Sequence, residues 1–131
     1  VGTDYNRVNL LMAVLEKRMG LHLGTCDAYV NVAGGMRIVE PALDLALVAA
    51  LISSHYGRSL DAHTVLFGEV GLVGEVRAVS QAERRVQEAL KTGYTTIILP
   101  DANRQAIVKA GTIPLEGVKL VGIKHIRDLT I

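Results

Sequence analysis

The sequence predicts a mixed α/β domain. Three observations carry that expectation: alternating apolar residues in DAYVNVA (27–33), a short apolar run closed by proline in TTIILP (95–100), and helical periodicity between such runs. Strands and helices interleave without a strict βαβ repeat. No internal repeat or low-complexity tract is present.

Thr3 or Asp4 can cap a first helix over about residues 5–19, with Val8, Leu11, Val14, Leu15 and Met19 on one face and Gly20 ending it. DAYVNVA follows as a half-buried strand. Gly34-Gly35 turns the chain, and MRIVE can continue as a second strand. EPALDLALVAAL (40–51) then opens a helix to about His55, with Pro41 in its first turn and an apolar run that fits a buried position. SHYGRSLDAH is a surface loop.

TVLFGEVGLVGEVRAV holds two short strands around Gly68, Gly71 and Gly74, which read as a hairpin. A helix over about 81–92 turns Ala82, Val86, Ala89 and Leu90 inward. The continuous apolar character of TTIILP suits a central strand. Asp101 can cap a helix over 102–110 that Gly111 closes. VKLVGI (118–123) is a last strand, and HIRDLTI a short final helix.

At 131 residues the chain is long enough for one domain that buries roughly two-thirds of its unfolded surface. Apolar residues make up 50%, yet the only aromatics are four Tyr and one Phe, so the core is aliphatic. A net charge of +1 neither requires nor excludes nucleic acid, because a local patch can bind phosphate while the total stays near zero. Cys26 is the single cysteine, which rules out an internal disulfide and a cysteine-rich zinc site and fits a reducing, cytoplasmic setting. No apolar run approaches the ~20 residues of a membrane span. The opening VGTDYNR lacks an initiator Met, as expected of a piece of a longer protein.

Several patterns bear on chemistry. GEVGLVGEV spaces its glycines by three but sits between strands, and no Walker A sequence is present, so its glycines read as hairpin residues. His22, His55, His63 and His125 are too scattered for a metal set. Ser53 and Ser54 lie near His55 but lack the G-x-S-x-G elbow of a nucleophilic serine. Glu40 and Asp44 are one helical turn apart, where like charge raises a pKa. The plainer reading is that both interact favourably with the helix N-terminus. Basic residues gather at Arg77, Arg84, Arg85 and Lys91. A solvated face is the default for them, Arg84 can pair with Glu88, and phosphate contact is the sharper alternative.

The blocks DYNR, YVNVAGGMRI, EPALDLALVAALISS, FGEVGLVGEVRAVSQAERR and GYTTIILP resemble the C-terminal domain of the RadA (Sms) family of bacterial DNA-repair ATPases. The resemblance runs nearly the whole chain. That domain is in turn similar to the proteolytic domain of Lon, a Ser–Lys peptidase on a ribosomal protein S5 domain 2-like fold. The resemblance thus implies a mixed sheet with packed helices in one Lon-like domain. The family's zinc finger and RecA-like ATPase core lie outside this chain, so ATP, magnesium and zinc are expected only there.

In Lon-like peptidases a serine follows proline at the start of a buried helix, and a lysine on the helix after the hairpin acts as base. Those positions carry over onto Ala42 and Arg85. Ala42 has no hydroxyl to acylate, and Arg85 stays protonated with a pKa above ~12. The resemblance therefore implies a vestigial site without peptidase activity, in which Arg85 pairs with Glu40 or Asp44. It also implies a hexameric ring of copies that supports branch migration and recombination. Weak phosphate contacts from Arg77, Arg84 and Lys91 would add through avidity in such a ring. A divergent Ser–Lys peptidase and a pure protein-interaction module are the competing readings.

Overall fold

The structure, a computed structural model, describes residues 10, 11, 13, 14, 17, 41–58 and 61–129. The strands expected at 27–33 and over MRIVE lie outside the described residues, as do His22, Cys26 and Glu40. Of the first helix, the described positions are helical, and Leu11 and Val14 are buried.

A 3-10 turn, Pro41–Leu43, leads directly into helix α1, Asp44–Tyr56. Strand β1 is Thr64–Leu66, β2 Glu69–Val70 and β3 Val76–Arg77. Helix α2 spans Ala82–Thr92, β4 Thr96–Pro100, α3 Asp101–Ala110 and β5 Lys119–Ile123. A closing 3-10 turn covers Ile126–Asp128. The fold is mixed α/β, as expected.

Strands β1, β4 and β5 form a parallel sheet in the order β1-β4-β5. β4 is central, as its uninterrupted apolar character predicted. Its side chains divide by the two-residue period of a strand. Ile97 and Leu99 pack with Phe67, Val86 and Ile107 under α2 and α3, while Ile98 packs against the cluster around α1. The sheet therefore carries α1 on one face and α2 with α3 on the other. α1 tolerates burial around most of its circumference because residues 45–52 offer no polar side chain; Leu45, Leu47, Val48, Ala49 and Leu51 are at most 1% exposed.

Two expectations need correction. The sequence places TVL in one arm of the hairpin, but β1 pairs in parallel with β4, and among the described residues the antiparallel hairpin is β2 with β3 alone. The glycine after Phe67 redirects the chain between the two sheets, a change that local alternation does not encode. β4, α3 and β5 make one βαβ unit, and the β2–β3 hairpin keeps the order from a strict βαβ repeat, as expected. Asp101 does not cap α3 from outside: the helix begins at Asp101 with Pro100 as its N-cap. The Asp101 carboxylate instead accepts from Gln105 Nε2 at 2.6 Å, one turn on.

α2 and α3 both end on a left-handed glycine, Gly93 and Gly111, whose N–H returns to the last-turn carbonyls. Asn103 ties α3 to the chain before α2: its Oδ1 accepts from Val79 N at 2.9 Å and its Nδ2 donates to Val79 O at 3.1 Å. Among the described residues, no helix is long and apolar enough to cross a membrane.

Candidate functional site

The start of α1 is fastened by backbone. Gly68 N–H donates to Ala42 O at 2.8 Å, and Leu45 N–H donates to Gly68 O at 3.0 Å. The loop leaving β1 therefore closes over the first turn and satisfies groups that a helix end leaves open. Ala42 is buried at 4% exposure. Asp44 is the one charged side chain among the described residues that is fully buried, and its Oδ2 accepts from Val70 N–H at 3.0 Å. A polar side chain buried so fully requires such a partner.

Facing this start across a groove of about 450 Å³ is α2. Leu43, Val65, Leu66, Phe67 and Ala89 give the groove an apolar floor, and Gln81, Arg84, Arg85, Glu88, Thr92 and Tyr94 complete its walls. Arg85 is half-buried, with Nε donating to Ser80 O at 3.1 Å. Arg84 is exposed and makes no hydrogen bond or ion pair among the described residues, so it is not engaged by Glu88. Gln81 is the N-cap of α2 in the left-handed region (φ 56°, ψ 35°) with no side-chain capping bond. Non-glycine residues visit that region at a cost of about 1–2 kcal/mol.

The fold thus brings three of the singled-out residues to one locality: Arg84 and Arg85 line the groove, and Ala42 precedes Leu43 on its floor. Lys91 is exposed in the last turn of α2. Arg77 belongs to a different cluster. Its Nη2 lies 2.9 Å from Glu75 Oε2, and that contact with the backbone N–H groups of residues 75 and 73 holds the Glu75 carboxyl below its ordinary range. A phosphate at Arg77 would compete with a carboxylate already in place. Arg84 and Lys91 carry no such competitor among the described residues.

The three described histidines make local contacts. His55 packs edge-on against Tyr56 with ring centroids 4.8 Å apart. His63 N–H donates to Asp61 Oδ1 at 2.7 Å. His125 caps the final turn: Nδ1 accepts from Arg127 N–H at 3.0 Å, which leaves Nε2 to donate to Val73 O at 2.8 Å. Asp128 reciprocates by accepting from the N–H groups of Lys124 and His125, which together hold its carboxyl below the usual value. Among the described residues, no three His, Cys, Asp or Glu side chains converge as a metal would require. Ser53 Oγ bonds to Arg58 O at the end of α1, and Ser80 offers its carbonyl to Arg85.

Sequence reasoning missed the hairpin's anchoring to the chain end. Gly74 O accepts from Ile126 N–H at 2.9 Å, and Val76 N–H donates to Lys124 O at 2.8 Å. A Cβ on Gly74 would lie 2.7 Å from the His125 ring, and one on Gly71 would strike the Glu75 carboxylate. The glycine spacing was the available signal. It reports close packing against side chains as well as a turn.

A family model described as subunit ChlI of Mg-chelatase matches residues 7–103. The chain is 46% identical over 97% of its length to the DNA repair protein RadA of Halalkalibacterium halodurans, and 46% over 97% to that of Bacillus subtilis, covering 27% of each. The Streptococcus pneumoniae DNA repair protein RadA is 41% identical over 98% of the chain, which covers 29% of it. The chain spans little more than a quarter of the length of these curated relatives. It belongs to the family described as subunit ChlI of Mg-chelatase, and it resembles DNA repair protein RadA over nearly its whole length.

Proposed function

We propose that this chain is a non-catalytic, Lon-like scaffold domain of a longer DNA-repair ATPase, supporting a ring of copies that engages DNA in recombination and branch migration. The observation that carries the repair role is the 46% identity to DNA repair protein RadA over 97% of the chain. The absence of catalysis follows from chemistry at two positions. Ala42 offers no nucleophile at the helix start, and an arginine at 85 cannot accept a proton near neutral pH. ATP, magnesium and zinc would act in other parts of the longer protein. A cytoplasmic setting suits that role.

Arg85 pairs, in this reading, with an acid at the front of α1, either Glu40 or Asp44. Its half-buried setting on the same groove as Leu43 supports that assignment. DNA phosphate would be met by Arg84 and Lys91 on α2, with Arg77 a weaker contributor because Glu75 already holds it.

A gel-shift titration of the chain with duplex DNA tests the reading. Binding should weaken steeply as salt rises, because each phosphate contact releases counterions. Neutralising Arg84 and Lys91 together should weaken it more than neutralising Arg77. Binding indifferent to salt, or no binding at low salt, would point to a pure protein-interaction module.

A further inference from the structure

The tip of the β2–β3 hairpin is held to the chain end by one imidazole. His125 is half-buried and uses both ring nitrogens. Nδ1 accepts from Arg127 N–H at 3.0 Å and also from Arg127 Nε at 3.3 Å, while Nε2 meets Val73 O at 2.8 Å. An acceptor at Nδ1 and a donor at Nε2 define a neutral ring. That ring has little room to turn. Gly74 has φ 85°, and a Cβ there would lie 2.7 Å from both Cε1 and Nε2, so glycine lets the imidazole press against the backbone. Glu75 and His125 form an antiparallel bridge, and Ile126 N–H donates to Gly74 O at 2.9 Å.

A second proton does not fit this arrangement. On Nδ1 it would face two donors, one of them on a guanidinium cation. The charged side chains that the two segments bring are Glu75 and Arg77 from the hairpin and Lys124, Arg127 and Asp128 from the chain end. Neither carboxylate takes the side of the proton. Glu75 is held by Arg77 and by Val73 N–H, and Asp128 accepts from the N–H groups of Lys124 and His125. The exposed Arg127 side chain can swing away, but its backbone N–H cannot leave without opening the last 3-10 turn. The ring must therefore rotate, and rotation carries Nε2 off Val73 O.

We propose that His125 is a proton-operated latch: the neutral ring locks the hairpin tip to the final turn, and protonation of the ring releases both. The hold is complete above the range in which an imidazole takes up its proton and is lost as pH falls through it. The latch governs an apolar tip, since Leu72 is 64% and Val73 49% exposed. These two side chains are presented in one fixed pose at neutral pH and in a mobile one in mild acid. Glu75 and Asp128, whose carboxyls are held low, stay ionised across that range and do not drive the change.

Hydrogen exchange of the whole chain, followed by mass spectrometry from about pH 8 to about pH 5, the span over which histidine changes charge, tests the latch. Slow exchange of the ring Cε1 hydrogen of His125 reports its protonation in the same samples. After correction for the intrinsic pH dependence of exchange, protection in segments 71–76 and 124–129 should fall about tenfold, the scale of one lost hydrogen bond, in step with that protonation. Protection in β4 should not change. In His125→Asn, the amide oxygen keeps an acceptor for Arg127 N–H but takes up no proton, so protection of both segments should be independent of pH. Protonation of His125 with both segments still protected would overturn the proposal, as would a ring that stays neutral down to pH 5. An equal fall in His125→Asn would overturn it too. If that variant does not fold, the two readouts on the unmodified chain still decide.

Discussion

The two helix starts that border the groove are built in opposite ways. At α1, Ala42 and Asp44 are buried, the backbone is locked to Gly68, and a carboxylate serves Val70 N–H. At α2, Gln81 is exposed in a left-handed conformation without a side-chain cap, and Arg84 points outward in the first turn, where the helix dipole disfavours a cation. One start is optimised for packing. The other retains strain and uncompensated charge, as surfaces that meet partners often do. The peptidase resemblance assigns the missing nucleophile to the packed start and the missing base to the open one. Substitutions should therefore be costly at α1 and cheap, or even stabilising, at α2.

The largest effect is expected at Asp44. Asp44→Ala leaves a buried N–H at Val70 without its acceptor and should destabilise the chain by about 2 kcal/mol, read from the midpoint of urea unfolding. Asp44→Asn keeps an acceptor and should cost less. Equal losses for the two would mean that the carboxylate charge, and not the hydrogen bond, matters most there.

A smaller loss is expected for Ala42→Ser. The added hydroxyl enters a buried site packed for a methyl group, so about 1 kcal/mol of stability should be lost in the same assay. A gain in stability would show that this helix start still holds a ready-made partner for a serine. At α2 the sign reverses. Gln81→Gly removes the left-handed strain at some entropic expense and should stabilise by about 0.5 kcal/mol. Destabilisation of more than about 1 kcal/mol would mean that the Gln81 side chain makes contacts beyond the strain argument.

Acid should act away from both starts. The carboxyls of Glu75 and Asp128 are both held low in the folded chain. Their stabilising contribution is therefore present above the unfolded value of about 4 and is lost as pH falls through the folded values. Unfolding midpoints followed downward from neutral pH should drop below about pH 4. The combined Glu75→Gln and Asp128→Asn variant should show a shallower drop, and an unchanged one would place the acid sensitivity elsewhere.

Periodicity made much of this legible in advance. α2, β4, α3 and β5 lie within a residue or two of their expected bounds: α2 and α3 carry a helical period closed by Gly93 and Gly111, β4 is an apolar run closed by Pro100, and β5 is a short apolar run. The all-apolar stretch of α1 correctly announced a buried helix. The split of TVLFGEVGLVGEV between two sheets was not legible. Strand pairing is a long-range choice, and local alternation is the same for either partner. The site was legible only in part. Spacing alone could not place Leu43, the neighbour of Ala42, and Arg85 on one groove, since they sit on different elements. The anchoring of Glu75, His125 and Asp128 around the hairpin depends on contacts across some fifty residues, as between His125 and Val73.

The central claim, that this chain keeps a peptidase frame without the chemistry, is tested most directly by fluorophosphonate labelling of the purified chain, followed by mass spectrometry. The expected result is no labelled serine, with unlabelled Ser53, Ser54 and Ser80. Stoichiometric labelling at any of those serines, lost on its replacement by alanine, would contradict the claim and establish a nucleophile.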